Sequence, residues 1–284
     1  MRSRIWLWMV IASLLPILSY AQNADDSLVR ELFVRSGEEN LLDQLPSLIL
    51  AGFNRTVQDD EQARKLPKNV LSAMRAAVPT AFAPEKSKET MLAELAGKLT
   101  SQDIKGIIQW LDSPLGKKCI GLEEQAARPE AQADMQQYAA GLREKPPTPE
   151  RVKTIQDFDS ALKETDSAVE IALQTQAAVA LAFIATFPKE KQQTPDAVLR
   201  DMEKKRPAFE TEVRRQTFVD LMYTYRNLTD DEIRQYTEFA KSPVGTKYSS
   251  VVMDAYKKII SDGAVKWGKF IGEAMQETKD NPET

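Results

Sequence analysis

The chain has no histidine and a single cysteine among its 284 residues. Without imidazole there is no Ser-His-Asp or Cys-His machinery, and the usual zinc sites are out of reach. Any catalysis falls to carboxylates, Lys, Tyr or a lone Ser. Cys119 cannot make an internal disulfide. It reads as a packed, inert thiol on a half-buried helix face, with an intermolecular bridge or a reactive thiol as the alternatives. Alternating β-branched runs between turn signals are missing, so no strand is expected. Positive charge is not in excess: 38 Lys and Arg face 42 Asp and Glu, and setting Arg2 and Arg4 aside leaves a net charge of about −6. That balance argues against nucleic acid and anionic membrane as partners.

Arg2 and Arg4 precede an apolar run from Ile5 to Leu18, and Ser19-Tyr20-Ala21 is a small-x-small site. This is the pattern of a secretory signal, residues 1–21, cut after Ala21. The run is shorter than the roughly 20 residues a spanning helix needs, so an uncleaved anchor fits less well. The expected location is the periplasm, with no integral membrane span after cleavage.

Helical periodicity fills the rest. Leu28, Leu32 and Phe33 share a face before Ser36-Gly37. Leu41, Leu42, Leu45, Leu48 and Ile49 continue it, with a kink expected at Pro46. Residues 54–65 are polar and read as loop with some helix. A short helix is expected to end before Pro79, a restart is expected at Pro207, and a bend is expected at Asp262-Gly263. Ala177–Ala185 is apolar at nearly every position and reads as a central core helix.

Leu99-Thr-Ser-Gln-Asp-Ile through Ser113-Pro-Leu-Gly-Lys-Lys118 and Leu228-Thr-Asp-Asp-Glu-Ile through Ser242-Pro-Val-Gly-Thr-Lys247 superpose at a constant offset of 129. Thr100 with Asp103, and Thr229 with Glu232, have capping-box spacing, flanked by staple pairs Leu99/Ile104 and Leu228/Ile233. Ser113-Pro114 and Ser242-Pro243 then start new helices. Self-similarity at one offset indicates a duplicated unit. The expected fold is all-α: a bundle of about eight to ten helices in two diverged tandem repeats, 22–144 and 150–277. A Pro-rich linker, 145–149, joins them, and the tail 278–284 is expected to fray.

These segments resemble an uncharacterised bacterial family, domain of unknown function 2059. Leu32-Phe33-Val-Arg-Ser-Gly37 with Leu41, Leu42 and Leu45 resembles its opening segment. Leu99 through Lys118 resembles its closing segment, and Ala168 through Lys247 looks like a diverged copy. The resemblance implies an exported helical protein and no established activity.

Candidate chemistry is sparse. Ser113 or Ser242 beside Lys117 or Lys118 could form a nucleophile, but a Ser before Pro at a helix start already has a capping duty. An anion could sit at these helix starts near Lys117, Lys118 and Lys247; solvated lysines are the plainer reading. Glu123-Glu124 and Asp230-Asp231-Glu232 read as solvated faces and caps, against the alternative of a hydrolytic carboxylate pair. Tyr225, Tyr236, Phe239, Tyr248 and Tyr256 form the one candidate groove, since such rings line ligand grooves and partner surfaces.

The expected function is therefore a non-enzymatic periplasmic binding or interaction module, with no cofactor, catalytic residue or metal site. Its partner would be a protein or an apolar small molecule of the envelope, held in a groove where the halves meet. The alternatives are a carboxylate-based hydrolase of an envelope polymer and a purely structural protein. A deep pocket with two inward carboxylates favours the hydrolase, an apolar aromatic groove favours binding, and a featureless surface favours the third.

Overall fold

A computed structural model describes residues 25–184 and 194–280, apart from residues 60, 66 and 129. The N-terminal apolar run and its cleavage site, Pro129, the end of Ala177–Ala185 and the last four residues lie outside the described residues. Thirteen helices and no strand are found among them. In the first half these are α1 (Asp26–Arg35), α2 (Glu38–Asp59), α3 (Glu61–Arg64), α4 (Lys68–Ala81), α5 (Pro84–Lys98), α6 (Ser101–Leu111), α7 (Pro114–Ala126) and α8 (Ala131–Glu144). The second half holds α9 (Pro149–Leu162), α10 (Glu164–Ile184), α11 (Pro195–Thr224), α12 (Asp230–Lys241) and α13 (Pro243–Asp280). The number exceeds eight to ten partly because the polar stretch 54–65 is helical, carrying the end of α2 and α3.

The helix end expected before Pro79 and the restart expected at Pro207 are absent, and the stretch around Pro46 stays helical. Pro46, Pro79 and Pro207 lie inside α2, α4 and α11. A proline removes one ladder bond and crowds the preceding turn. Packing outweighs that at Pro46 and Pro79, because Leu42 and Leu45 anchor α2 while Val78 and Ala81 anchor α4 in the core. At Pro207, Arg206 ties α11 to itself and to α10 through Glu203 and Glu170. α13 also runs unbroken past Gly263. There the missing side chain admits Phe82, since a Cβ would lie 2.3 Å from its ring.

The helix starts at Thr100 and Thr229 carry complete capping boxes. Ser113 Oγ accepts the Gly116 amide at 3.0 Å, and Ser242 Oγ accepts the Gly245 amide at 3.1 Å. A Cβ on Gly116 would stand 2.2 Å from the Trp110 carbonyl oxygen, and one on Gly245 2.0 Å from that of Phe239. At both corners, then, the glycine lets the new helix fold back against the last turn of the old one.

Two apolar cores result, and neither belongs to one half. The larger joins Leu32, Phe33, Val78, Phe82, Leu95 and Ile104 to Val251, Ala255, Ile259 and Trp267 of α13. Trp267 Nε1 donates to the Met74 carbonyl at 2.8 Å, and its ring meets Phe53 and Phe82 edge to face. The smaller joins Cys119 to Ile155, Phe158, Leu221, Met222 and Ile233. α10 packs against α11 and α13, its described buried apolar residues being Val169, Leu173 and Ala177.

Candidate functional site

The turn from α1 to α2 sets one wall of a cleft. Gly37 takes φ +80°, a conformation that costs a side-chain-bearing residue about 1–2 kcal/mol. That turn makes Glu38 the first residue of α2. An open cleft of about 370 Å³ lies between this turn and α7, bordered by Ser36, Glu38, Asn40, Gln44, Ile120 and Glu123. A more enclosed chamber of about 110 Å³ shares Ser36, Glu38, Ile120 and Glu123, and adds Trp110, Leu162, Tyr236, Phe239 and Tyr248.

Two carboxylates face this space, and tyrosines stand behind them. Tyr256 Oη donates to Glu38 Oε2 at 2.6 Å. Tyr225 Oη and Tyr236 Oη both donate to Glu123 Oε1, at 2.7 and 3.2 Å. Among the described residues neither carboxylate makes an ion pair. Burial pushes the Glu38 carboxyl up to about 7, against the pull of the Tyr256 hydroxyl and aided by repulsion from Glu123 and Glu164. Burial likewise raises Glu123, against the two tyrosine hydroxyls. Glu164 rises to about 7 through enclosure by the protein and repulsion from Asp159, Glu123 and Asp220. Burial and the Glu123 charge hold Tyr225 and Tyr236 well above the ordinary phenol range.

The rings form a braced wall. Trp110 stacks on Phe239 with centroids 4.2 Å apart and planes 8° from parallel, and Tyr236 tilts against Trp110 at 4.5 Å. Phe158 meets Tyr225 and Tyr236 from behind. Lys163, between Leu162 of the chamber and Glu164, has φ 56°. Asp159 secures this turn by accepting from both the amide and the hydroxyl of Thr165, at 2.9 and 2.7 Å.

Of the five candidate groove residues, Tyr236, Phe239 and Tyr248 line the chamber. Tyr225 is buried, and it and Tyr256 sit behind the carboxylates as hydrogen-bond donors. The reading of Glu123-Glu124 as one solvated face needs correction: Glu124 is exposed, but Glu123 turns inward. It lies four residues after Cys119, whose side chain is fully buried, and residues four apart share a helix face. That spacing was the available signal. Glu38 had no comparable one, since an acid in a first helical turn ordinarily answers the helix dipole. Trp110 was findable as the offset-129 counterpart of Phe239.

The serines cap helices, and the nearby lysines are paired. Lys117 faces Asp112 at 3.5 Å, Lys118 faces Glu232 at 2.7 Å, and Lys247 pairs with Asp103. Burial, with the Glu123 and Glu232 charges, pushes the Cys119 thiol up to about 12, so no thiolate forms at neutral pH. Among the described residues no three His, Cys, Asp or Glu side chains form a metal-binding group, and no helix is long and apolar enough to cross a membrane.

No curated protein and no solved structure matches the chain. The resemblance seen in its helical segments has a counterpart in α5–α8, which bring Trp110, Ile120 and Glu123 to the cleft: residues 85–145 match the model of a bacterial family described as "Uncharacterized protein conserved in bacteria (DUF2059)".

Proposed function

We propose that the chain is an exported, periplasmic binding protein that holds a small ligand in the cleft between α2, α7, α12 and α13, without chemical conversion. The observation that carries this reading is the enclosed chamber, walled by Trp110, Tyr236, Phe239 and Tyr248. Its walls combine these rings and aliphatic side chains with convergent polar groups, a combination that small-molecule sites use. Export rests on Arg2, Arg4, the apolar run and the Ser19-Tyr20-Ala21 site.

We further propose that the cleft arises where two copies of one helical unit face each other. Trp110 and Phe239, equivalent at the offset of 129, stack on one another. Lys118 pairs with Glu232, while Lys247, the counterpart of Lys118, pairs with Asp103, the counterpart of Glu232. Reciprocal pairs around a self-pair are what a two-fold interface produces.

Native mass spectrometry of the purified chain tests the binding reading. The expected result is a bound small-molecule mass that disappears in Ser249→Trp, where a bulky ring fills the chamber. A chain carrying no small molecule overturns it. The two inward carboxylates favour one second reading, hydrolysis of an envelope polymer, in which one carboxyl protonates a glycosidic oxygen. Release of soluble fragments from an envelope polysaccharide, lost in both Glu38→Gln and Glu123→Gln, would establish that reading instead.

A further inference from the structure

We propose that the ligand of the inner chamber is a small organic ammonium ion, its charge held between Glu38 and Glu123 and its hydrocarbon part against Leu162, Tyr236, Phe239 and Tyr248. This inference rests on the cleft being a binding site and adds the chemical class of what it takes.

Charge decides the class. The chamber lining contains two carboxylates and no Lys or Arg. An anion would meet both carboxylates with no cation in the chamber lining to offset them, since Arg128 borders the outer cleft only. A neutral ligand would leave two enclosed carboxyl groups to ionise without a partner, which a low-dielectric site penalises. A cation removes that penalty by completing the pair that the protein itself does not supply. The tyrosine donors account for Glu38 Oε2 and Glu123 Oε1. They fix the two groups on opposite helices, α2 and α7, rather than neutralising them.

Shape narrows it further. An inorganic cation would use the oxygens and leave the ring-lined wall without a role, and among the described residues no metal-binding group of three ligands is present. The rings instead suit alkyl groups around or beside a nitrogen. The Trp110 faces are already covered by Phe239 and Tyr236, so Trp110 serves as a wall. It is also a built-in reporter, because the other tryptophan of the described residues, Trp267, is buried in the larger core.

The test compares choline with 3,3-dimethylbutan-1-ol, which has the same shape and no charge, by calorimetry and by Trp110 fluorescence in a Trp267→Phe background. Choline is expected to bind at least tenfold more tightly than the alcohol. Glu38→Gln and Glu123→Gln should each weaken choline tenfold or more while leaving the alcohol unchanged, with circular dichroism confirming the fold. Glu89→Gln, on the exposed face of α5, should change neither. Equal binding of choline and alcohol overturns the ammonium class but leaves the cleft as a binding site. Binding of neither, in a chain that still carries a small molecule lost in Ser249→Trp, also overturns the class alone. A purified natural chain that carries no small molecule at all is what would overturn the underlying reading.

Discussion

At the scale of single residues, Glu38 ties the site to stability. Its carboxyl rises from the ordinary 4.5 to about 7 in the folded chain. The unfolded chain therefore releases this proton first as pH rises. Stability linked to Glu38 is complete below about 4.5 and is lost progressively up to about 7. The groups that face it are Tyr248 and Tyr256 from α13, Glu123 from α7 and Glu164 from α10, and none carries a positive charge. Glu38→Gln keeps an acceptor for Tyr256 and removes the ionisation. Urea unfolding should find the variant more stable than the natural chain at pH 8, by on the order of 1–3 kcal/mol, and nearly equal to it at pH 4. A variant weaker at pH 8 would mean that the ionised carboxylate is well solvated. Groups arranged to hold a ligand commonly cost stability in this way.

At the scale of helices, the two Ser-Pro-x-Gly corners separate glycines that shape the fold from those that merely occupy it. Gly245→Ala drives a Cβ into the Phe239 carbonyl, and a backbone oxygen cannot swing aside as a side chain end would. The loss should be about 1–3 kcal/mol, the usual cost of overpacking. Gly97, inside α5, has nothing within 4 Å of where a Cβ would stand, so Gly97→Ala should stabilise by about 0.5–1 kcal/mol through helix propensity. Thermal melts of the two variants should move in opposite directions, and a shared sign would undo the packing argument. Lys163 offers a third case. Its left-handed backbone closes the turn after Leu162, which lines the chamber, and Lys163→Gly should relieve about 1 kcal/mol of strain. Both corners were readable in the sequence because capping, proline and glycine rules act within a few residues. The continuity of α2, α4, α11 and α13 was not. Whether Pro46 or Pro79 breaks a helix depends on the burial of Leu42, Leu45, Val78 and Ala81 against distant helices, which no local pattern records. The cleft divides in the same way: Tyr236, Phe239 and Tyr248 were visible as an aromatic set, whereas Glu38 acquires its meaning only when α13 brings Tyr256 to it.

At the scale of the whole molecule, α13 is the member that makes two halves into one protein. At 1.5 Å per residue its 38 residues span roughly 57 Å. Val251, Ala255, Ile259 and Trp267 complete the core of the first half, while Cys119 from that half completes the core of the second. Arg151 adds a lock inside the second half, donating to the Tyr225 and Leu228 carbonyls at 2.6 and 2.9 Å and to Asp230 at 2.8 Å. Neither half can lose its packing without exposing apolar surface of the other. Differential scanning calorimetry should therefore show one transition, with calorimetric and van't Hoff enthalpies in agreement. The sharper form of the test is a lesion confined to one core. Ile155 is fully buried in the smaller cluster, and Ile155→Ala should cost about 2–5 kcal/mol. If the cores are coupled, that loss lowers the single transition as a whole, by roughly 5–15 °C for a chain of this size. If they are independent, the Trp267 fluorescence of the larger core stays at its original midpoint while the helical signal splits into two steps. Coincident Trp267 and circular dichroism midpoints in Ile155→Ala would show that the cleft sits on a seam that opens only when the entire bundle does.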